Sequence, residues 1–119
     1  IQVVAAYKRP SEADAASWVC SDYFESGWMP ANSERAELPL ALDLGGLYEQ
    51  MLQRLMPIAA RTHEPLRDLI VRTEQVMAKK REISKTEARL NKEKQFNRKV
   101  EINAELRALQ NLVKALTTN

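Results

Sequence analysis

The apolar positions at the start of the chain follow a β pattern. In "IQVVAAYK", Val3, Ala5 and Tyr7 lie on one face of an alternating segment, and the other face is also largely apolar, which predicts a strand. "SWVCSDYF" is rich in aromatic and β-branched residues and predicts a second strand. The turn-rich "RPSEADAAS" between them favours an antiparallel hairpin with a long loop. Because two strands alone are marginally stable, we expect residues 1–60 to be the end of a larger, truncated domain.

A helical pattern follows the polar, proline-containing linker from Gly27 to Pro39. Asp43 is a good N-cap, and Pro57 cannot continue a helix. Between them, apolar residues recur at the spacing of one helix face, at Leu44, Leu47, Tyr48, Met51, Leu52 and Leu55. The spacing predicts an amphipathic helix over residues 43–56.

Residues 66–116 contain neither glycine nor proline and predict a long helical arm, assigned to residues 61–119. Apolar residues recur at heptad-like spacing in two series, which predicts a coiled-coil seam. The seam comprises Leu69, Val76, Ile83, Leu90, Ile102, Leu106, Leu109 and Val113.

The two series are out of register. Continued by heptads, the first series leads from Leu90 through Asn97 to Ala104 rather than to Ile102, a displacement of two residues or about 200° around the helix. One solution is a turn near residues 95–97 that folds two helices back on each other, with Asn97 as the second N-cap. The other is a single straight helix, about 75 Å long, with different partners on its two halves. We favour the antiparallel hairpin. The predicted fold class is therefore α+β: a small antiparallel β hairpin and a short helix, followed by a long coiled-coil arm.

Charge is distributed unevenly. Residues 1–60 carry 4 Lys/Arg and 8 Asp/Glu, whereas residues 61–99 carry 12 and 6. The basic part is either a solvated helix face or a contact surface for protein or nucleic acid, where it would neutralise phosphates. Phe96 would stack on a base, plug the hairpin tip or pack on another chain. The predicted contact residues are Lys79, Lys80, Arg81, Arg89, Phe96, Arg98 and Lys99.

Few residues are candidates for chemistry. The chain has one histidine, His63, and one cysteine, Cys20, which disfavours a zinc site and excludes an internal disulfide. We therefore predict no catalytic residue, no metal ligand and no cofactor. No stretch approaches the roughly 20 apolar residues of a membrane span, so no membrane association is expected. A single cysteine is compatible with a reducing compartment, and we predict a cytoplasmic protein.

Several stretches together resemble the carboxyl-terminal part of an uncharacterised bacterial domain-of-unknown-function family. They are "AYKRP", "DYFESGW", "LPLALDLGGLYEQMLQRLMP" and, most specifically, "KEKQFNRKVEINAEL". The resemblance implies a further amino-terminal module and a role like that of accessory proteins encoded beside helicases and DNA methyltransferases. It transfers no catalytic residue.

The leading hypothesis is a non-catalytic assembly or adaptor protein in a DNA-processing or defence complex. Its helical arm would bind a protein partner or a second copy of the chain. One alternative is a nucleic-acid-binding accessory subunit that uses the basic arm. Another is a fragment of an enzyme whose active site lies in a missing amino-terminal part.

Overall fold

The computed structural model of the protein describes residues 1–14 and 16–118. Within these residues, four short strands are followed by three helices, which confirms the α+β prediction. The strands are β1 (Val4–Ala5), β2 (Lys8–Pro10), β3 (Trp18–Cys20) and β4 (Phe24–Glu25), and the helices are α1 (Leu44–Leu55), α2 (Leu66–Lys92) and α3 (Phe96–Thr117).

The strands form one antiparallel hairpin with two changes of register. One lies between the two strand pairs, and the other lies beyond Val3, where Ile1 and Met29 exchange backbone hydrogen bonds. β1 pairs with β4, with Ala5 opposite Phe24, and β2 pairs with β3, with Lys8 opposite Cys20. Two residues separate the paired parts on one strand and three on the other, so one extra residue is accommodated, as in a β-bulge. The two predicted strands are therefore each interrupted.

Two serines mark these changes of register. Ser21 donates its backbone N–H to Tyr7 O (2.7 Å) and accepts the Tyr7 N–H on Oγ (2.8 Å). Ser26 repeats the arrangement with Val3, at 2.8 Å and 2.9 Å. Each hydroxyl thus takes the place of a strand carbonyl and satisfies an N–H that the displaced register would leave unpaired.

Helix α1 begins and ends close to the predicted limits. Asp43 Oδ1 accepts the Gly46 N–H at 2.6 Å, which confirms the cap, and the helix ends at Leu55, two residues before Pro57. Tyr48 Oη donates to Ala6 O and so ties α1 to the hairpin.

The core lies where the hairpin, α1 and the start of α2 meet. Phe24, Leu52 and Ile70 are buried together, and the half-buried Ala5 and Tyr7 pack against them. Because Ile70 belongs to α2, this core joins residues 1–60 to the helical arm.

Helices α2 and α3 pack as an antiparallel hairpin, which confirms the favoured solution. The radius of gyration is 18.7 Å, well above about 13.5 Å for a compact chain of this length, because the helical hairpin extends from the core. Within the described residues, no helix combines the length and the apolar character needed to cross a membrane.

The inner face of the helical hairpin contains threonine as well as aliphatic residues. Thr73 and Thr86 are buried, and their hydroxyls donate to Leu69 O (2.7 Å) and Glu82 O (2.8 Å) within α2. Threonine is therefore accommodated without an unpaired hydroxyl. Of the predicted seam residues, four are buried and four are half-buried: Leu69, Val76, Ile102 and Leu109, and Ile83, Leu90, Leu106 and Val113, respectively.

Candidate interaction surfaces

A buried ion pair closes the base of the helical hairpin, where α2 begins and α3 ends. Arg72 on α2 donates Nε and Nη2 to the two carboxylate oxygens of Glu64, both at 2.8 Å. The two side chains are only 6% and 9% exposed. The remaining donors of Arg72 reach Ala59 O (2.7 Å) and Leu116 O (2.6 Å). One guanidinium therefore joins the α1–α2 connection, α2 and α3.

Arg61 adds a second guanidinium at the same place. Its Nε donates to Thr118 O at 3.1 Å and its Nη2 to Ala115 O at 3.0 Å, while its backbone N–H donates to Glu64 Oε2 at 2.8 Å. Two cations thus lie at the carboxyl end of α3, where they interact favourably with the helix dipole. We call Arg61, Glu64 and Arg72 the base cluster.

The electrostatics of the base cluster follow from these contacts. The hydrogen bond from Arg72 lowers the pKa of Glu64 from 4.5 to about 2 and outweighs the desolvation that would raise it. The bond to Glu64 likewise raises the pKa of Arg72. All three guanidinium nitrogens of Arg72 donate to protein acceptors, so this buried side chain holds three segments of the chain together.

The base cluster was not among the sites predicted from the sequence. Arg72 falls on the same helix face as Leu69 and Val76, three residues before and four residues after it. A cation on a buried face needs a carboxylate partner, and Glu64 lies eight residues earlier. An arginine on an apolar helix face, with a glutamate eight residues earlier, could therefore have predicted this buried ion pair.

The opposite end of the helical hairpin, its tip, is exposed. α2 ends at Lys92 and α3 begins at Phe96, so the turn lies at residues 93–95. Glu93 Oε1 accepts the N–H groups of Lys94 and Gln95, both at 2.9 Å. Asn97 lies inside α3, so its assignment as the N-cap was wrong, because the Glu93 carboxylate satisfies the loop N–H groups. Glu93 and Gln95 have negative φ, which explains why this turn needs no glycine.

Glu93 is also electrostatically coupled to the tip. Its pKa is lowered, first by the hydrogen bond from the Gln95 N–H and further by the Lys94 N–H, Arg98 and Lys99. The carboxylate therefore stays ionised in this basic surrounding.

The predicted contact residues divide between two places. Lys79, Lys80 and Arg81 lie midway along α2, and Lys79 Nζ pairs with Glu82 at 3.1 Å. At the tip, Arg89 pairs with Glu105 at 2.9 Å, while Arg98 and Lys99 are exposed on α3.

Phe96 is 77% exposed. Its predicted role as a plug of the hairpin tip is therefore wrong, and its ring is available to another molecule.

A second exposed surface lies in the segment that leads into α1 and includes the first residue of that helix. Leu38, Leu40, Leu42 and Leu44 are 71%, 97%, 107% and 83% exposed; we call them the leucine strip. Their backbone is nevertheless anchored, because Gln50 and Arg54 of α1 donate to Leu40 O (2.8 Å) and Glu37 O (3.1 Å). Apolar surface on a fixed backbone is typical of a protein contact.

The described residues contain no group of three or more His, Cys, Asp or Glu that is placed to hold a metal ion. No curated protein and no solved structure matches the chain.

A family model does match, over residues 1–112, and it describes a domain of unknown function, DUF4391. The match confirms the resemblance to an uncharacterised family, whereas the genomic neighbours and the bacterial origin stay predictions. The base cluster, the hairpin tip and the leucine strip all lie wholly or mainly within the matched residues. The chain belongs to the DUF4391 family.

Proposed function

We propose that this protein is a non-catalytic assembly or adaptor subunit that binds protein partners. The observation that carries the proposal is the leucine strip, four leucines that are each at least 71% exposed on an anchored backbone. Acidic residues flank the strip, at Glu34, Glu37 and Asp43. The partner that fits is therefore a protein surface with apolar pockets and a basic rim.

An adaptor also needs a second contact, and we place it on the outer face of α3. Val100 and Leu112 are 52% and 49% exposed there, and the small side chains of Ala104 and Ala108 between them let another helix approach closely. The inner face of α3 is packed against α2, so this outer face is presented on a rigid arm. A protein helix, from a partner or from a second copy of the chain, is the expected occupant. Because Arg107 lines the same surface depression as Val100 and Ala104, this helix would compete with any other ligand bound there.

We also propose that residues 1–60 are the end of a larger domain. The described hairpin pairs two chain segments, each divided into two short strands, and is therefore only two strands wide. It leaves Val4 and Trp18 48% and 59% exposed, whereas an independently stable sheet needs more strands side by side. In this variant of the proposal, other segments of the same domain would cover part of the exposed apolar surface.

The resemblance to accessory proteins encoded beside helicases and DNA methyltransferases supports assigning the assembly role to a DNA-processing or defence complex. An enzyme whose active site lies outside residues 1–119 stays an alternative.

Site-specific photocrosslinking tests the proposal. A photoreactive residue at Leu40, in cells that produce the full protein, is expected to give protein adducts. The same residue at Gln53, which is exposed on α1, is the matched control. An adduct with another chain supports the adaptor role, and an internal adduct supports the larger domain. No adduct from Leu40 would contradict both.

A further inference from the structure

One exposed face of α3 combines an aromatic ring, cations and amides. Residues spaced by three and four along a helix share a face, and this spacing connects Phe96, Lys99, Asn103, Arg107, Gln110 and Lys114. All six are exposed. We call them the α3 stripe, which extends over 18 residues and therefore about 27 Å.

The cations of the α3 stripe form no direct ion pair with the protein, although Lys99 is close enough to Glu93 to lower the pKa of that carboxylate. Among the described residues, Lys99, Arg107 and Lys114 take part in no ion pair. The stripe itself contains no carboxylate. The two acidic residues of α3, Glu101 and Glu105, fall on the other flank of the helix, and Glu105 pairs with Arg89 at 2.9 Å.

Two features make the α3 stripe a fixed surface. The adjoining face of α3 is packed on α2, where Ile102 and Leu109 are buried. The carboxyl end of the helix is held by Arg61 and Arg72. A ligand on the stripe would therefore meet side chains on a backbone that is already ordered, which lowers the entropic cost of binding.

We propose that the α3 stripe binds single-stranded nucleic acid. Three cations along one line suit a phosphate backbone, and the ring of Phe96, 77% exposed at the end of that line, suits an unstacked base. The amides of Asn103 and Gln110 can donate to and accept from bases or sugars. A single strand fits better than a duplex because only a single strand offers Phe96 a free base face.

Fluorescence anisotropy with labelled oligonucleotides tests the proposal. The chain is titrated with single-stranded DNA, single-stranded RNA of the same sequence, and a DNA duplex. Both single strands should bind more tightly than the duplex. With three phosphates neutralised, log K should fall against log salt with a slope of about −2. Preference between DNA and RNA identifies which single strand is the ligand.

Variants locate the site. Lys99→Glu with Arg107→Glu should abolish binding, and Phe96→Ala should weaken it by roughly 5- to 100-fold, the range for loss of one stacked base. The matched control is Lys85→Glu with Arg35→Glu, which makes the same change in net charge at exposed positions outside α3. It should retain most of the affinity and the single-strand preference.

Three results would overturn the proposal. The first is that no oligonucleotide binds at low salt, and the second is an equal loss of affinity in the two double variants. The third is an unchanged affinity after Phe96→Ala. Circular dichroism of each variant establishes that the helices persist, which is expected because every substituted residue is exposed.

Discussion

The two ends of the helical hairpin each provide an acceptor for N–H groups of a connecting segment, but they differ in how deeply that acceptor is buried. At each end a glutamate accepts N–H groups of a connecting segment: Glu64 at the base and Glu93 at the tip. Glu64 is also paired with Arg72 and is almost completely buried, whereas Glu93 is only half-buried and shares the tip with Arg98 and Lys99. The base is therefore built for stability, and the tip leaves its charges and Phe96 free for contact.

The strongest test of this difference is Arg72→Met. It leaves the Glu64 carboxylate buried without its cation and removes the donors to Ala59 O and Leu116 O. Because an unpaired buried charge is costly, the free energy of unfolding should fall by about 3–5 kcal/mol. Urea denaturation measures the loss.

Lys85→Met is the matched control for that variant. Lys85 is an exposed cation on the same helix, and its replacement should change the unfolding free energy by less than about 0.5 kcal/mol. Similar losses in the two variants would show that the base cluster contributes no special stability.

The inner face of the helical hairpin should show the same gradient. Leu69 near the base is fully buried, whereas Leu90 near the tip is half-buried. Leu69→Ala should cost about 2–5 kcal/mol, and Leu90→Ala should cost less because its side chain already meets solvent. A larger loss from Leu90→Ala in urea denaturation would reverse the proposed roles of base and tip.

Acid should act at the base. Glu64 has a folded pKa of about 2 against 4.5 ordinarily, so the folded chain keeps this carboxylate ionised while the unfolded chain takes up a proton. The resulting stability is complete above pH 4.5 and is lost as the pH falls from 4.5 towards 2. The stability difference between the wild type and Glu64→Gln should shrink across that window, as measured by urea denaturation at several pH values. A constant difference would contradict the assignment.

The smallest effect is expected at the tip. Glu93→Gln removes the charge that accepts the Lys94 and Gln95 N–H groups, so those two amides should exchange faster with solvent. Global stability should change much less than in Arg72→Met, because Lys94 and Gln95 are exposed and Glu93 is only half-buried. Hydrogen exchange followed by NMR reports both quantities, and an unchanged exchange rate at these amides would disprove the capping role.

Local patterns allowed much of this fold to be predicted. Asp43, Pro57 and the apolar spacing between them located α1, and the register change between Leu90 and Ile102 indicated a turn without any glycine. Each of these signals lies within a few residues of the feature it predicts.

The features that were missed depend on long-range contacts. The Ser21 and Ser26 hydroxyls replace strand carbonyls only in the paired hairpin, and Arg72 becomes a buried cation only when α3 packs over it. Asn97 was assigned as a cap because its residue type is suitable. In the structure the Glu93 carboxylate accepts the loop N–H groups instead. The exposure of Phe96 likewise follows from packing, and it changed the interpretation of the tip from a plugged end to an open one.

The measurement that tests the account most directly is the distance across the helical hairpin and its dependence on Arg72. Spin labels are attached to cysteines introduced at residues 75 and 111 in a Cys20→Ser background. Pulsed electron paramagnetic resonance then measures the distance between the two labels. Packed antiparallel helices predict a distance below about 30 Å between the two labels. The distribution of this distance should broaden in Arg72→Met and stay narrow in Lys85→Met. A distance near 54 Å, as in one straight helix, or a distribution indifferent to Arg72→Met, would contradict a hairpin closed by the base cluster.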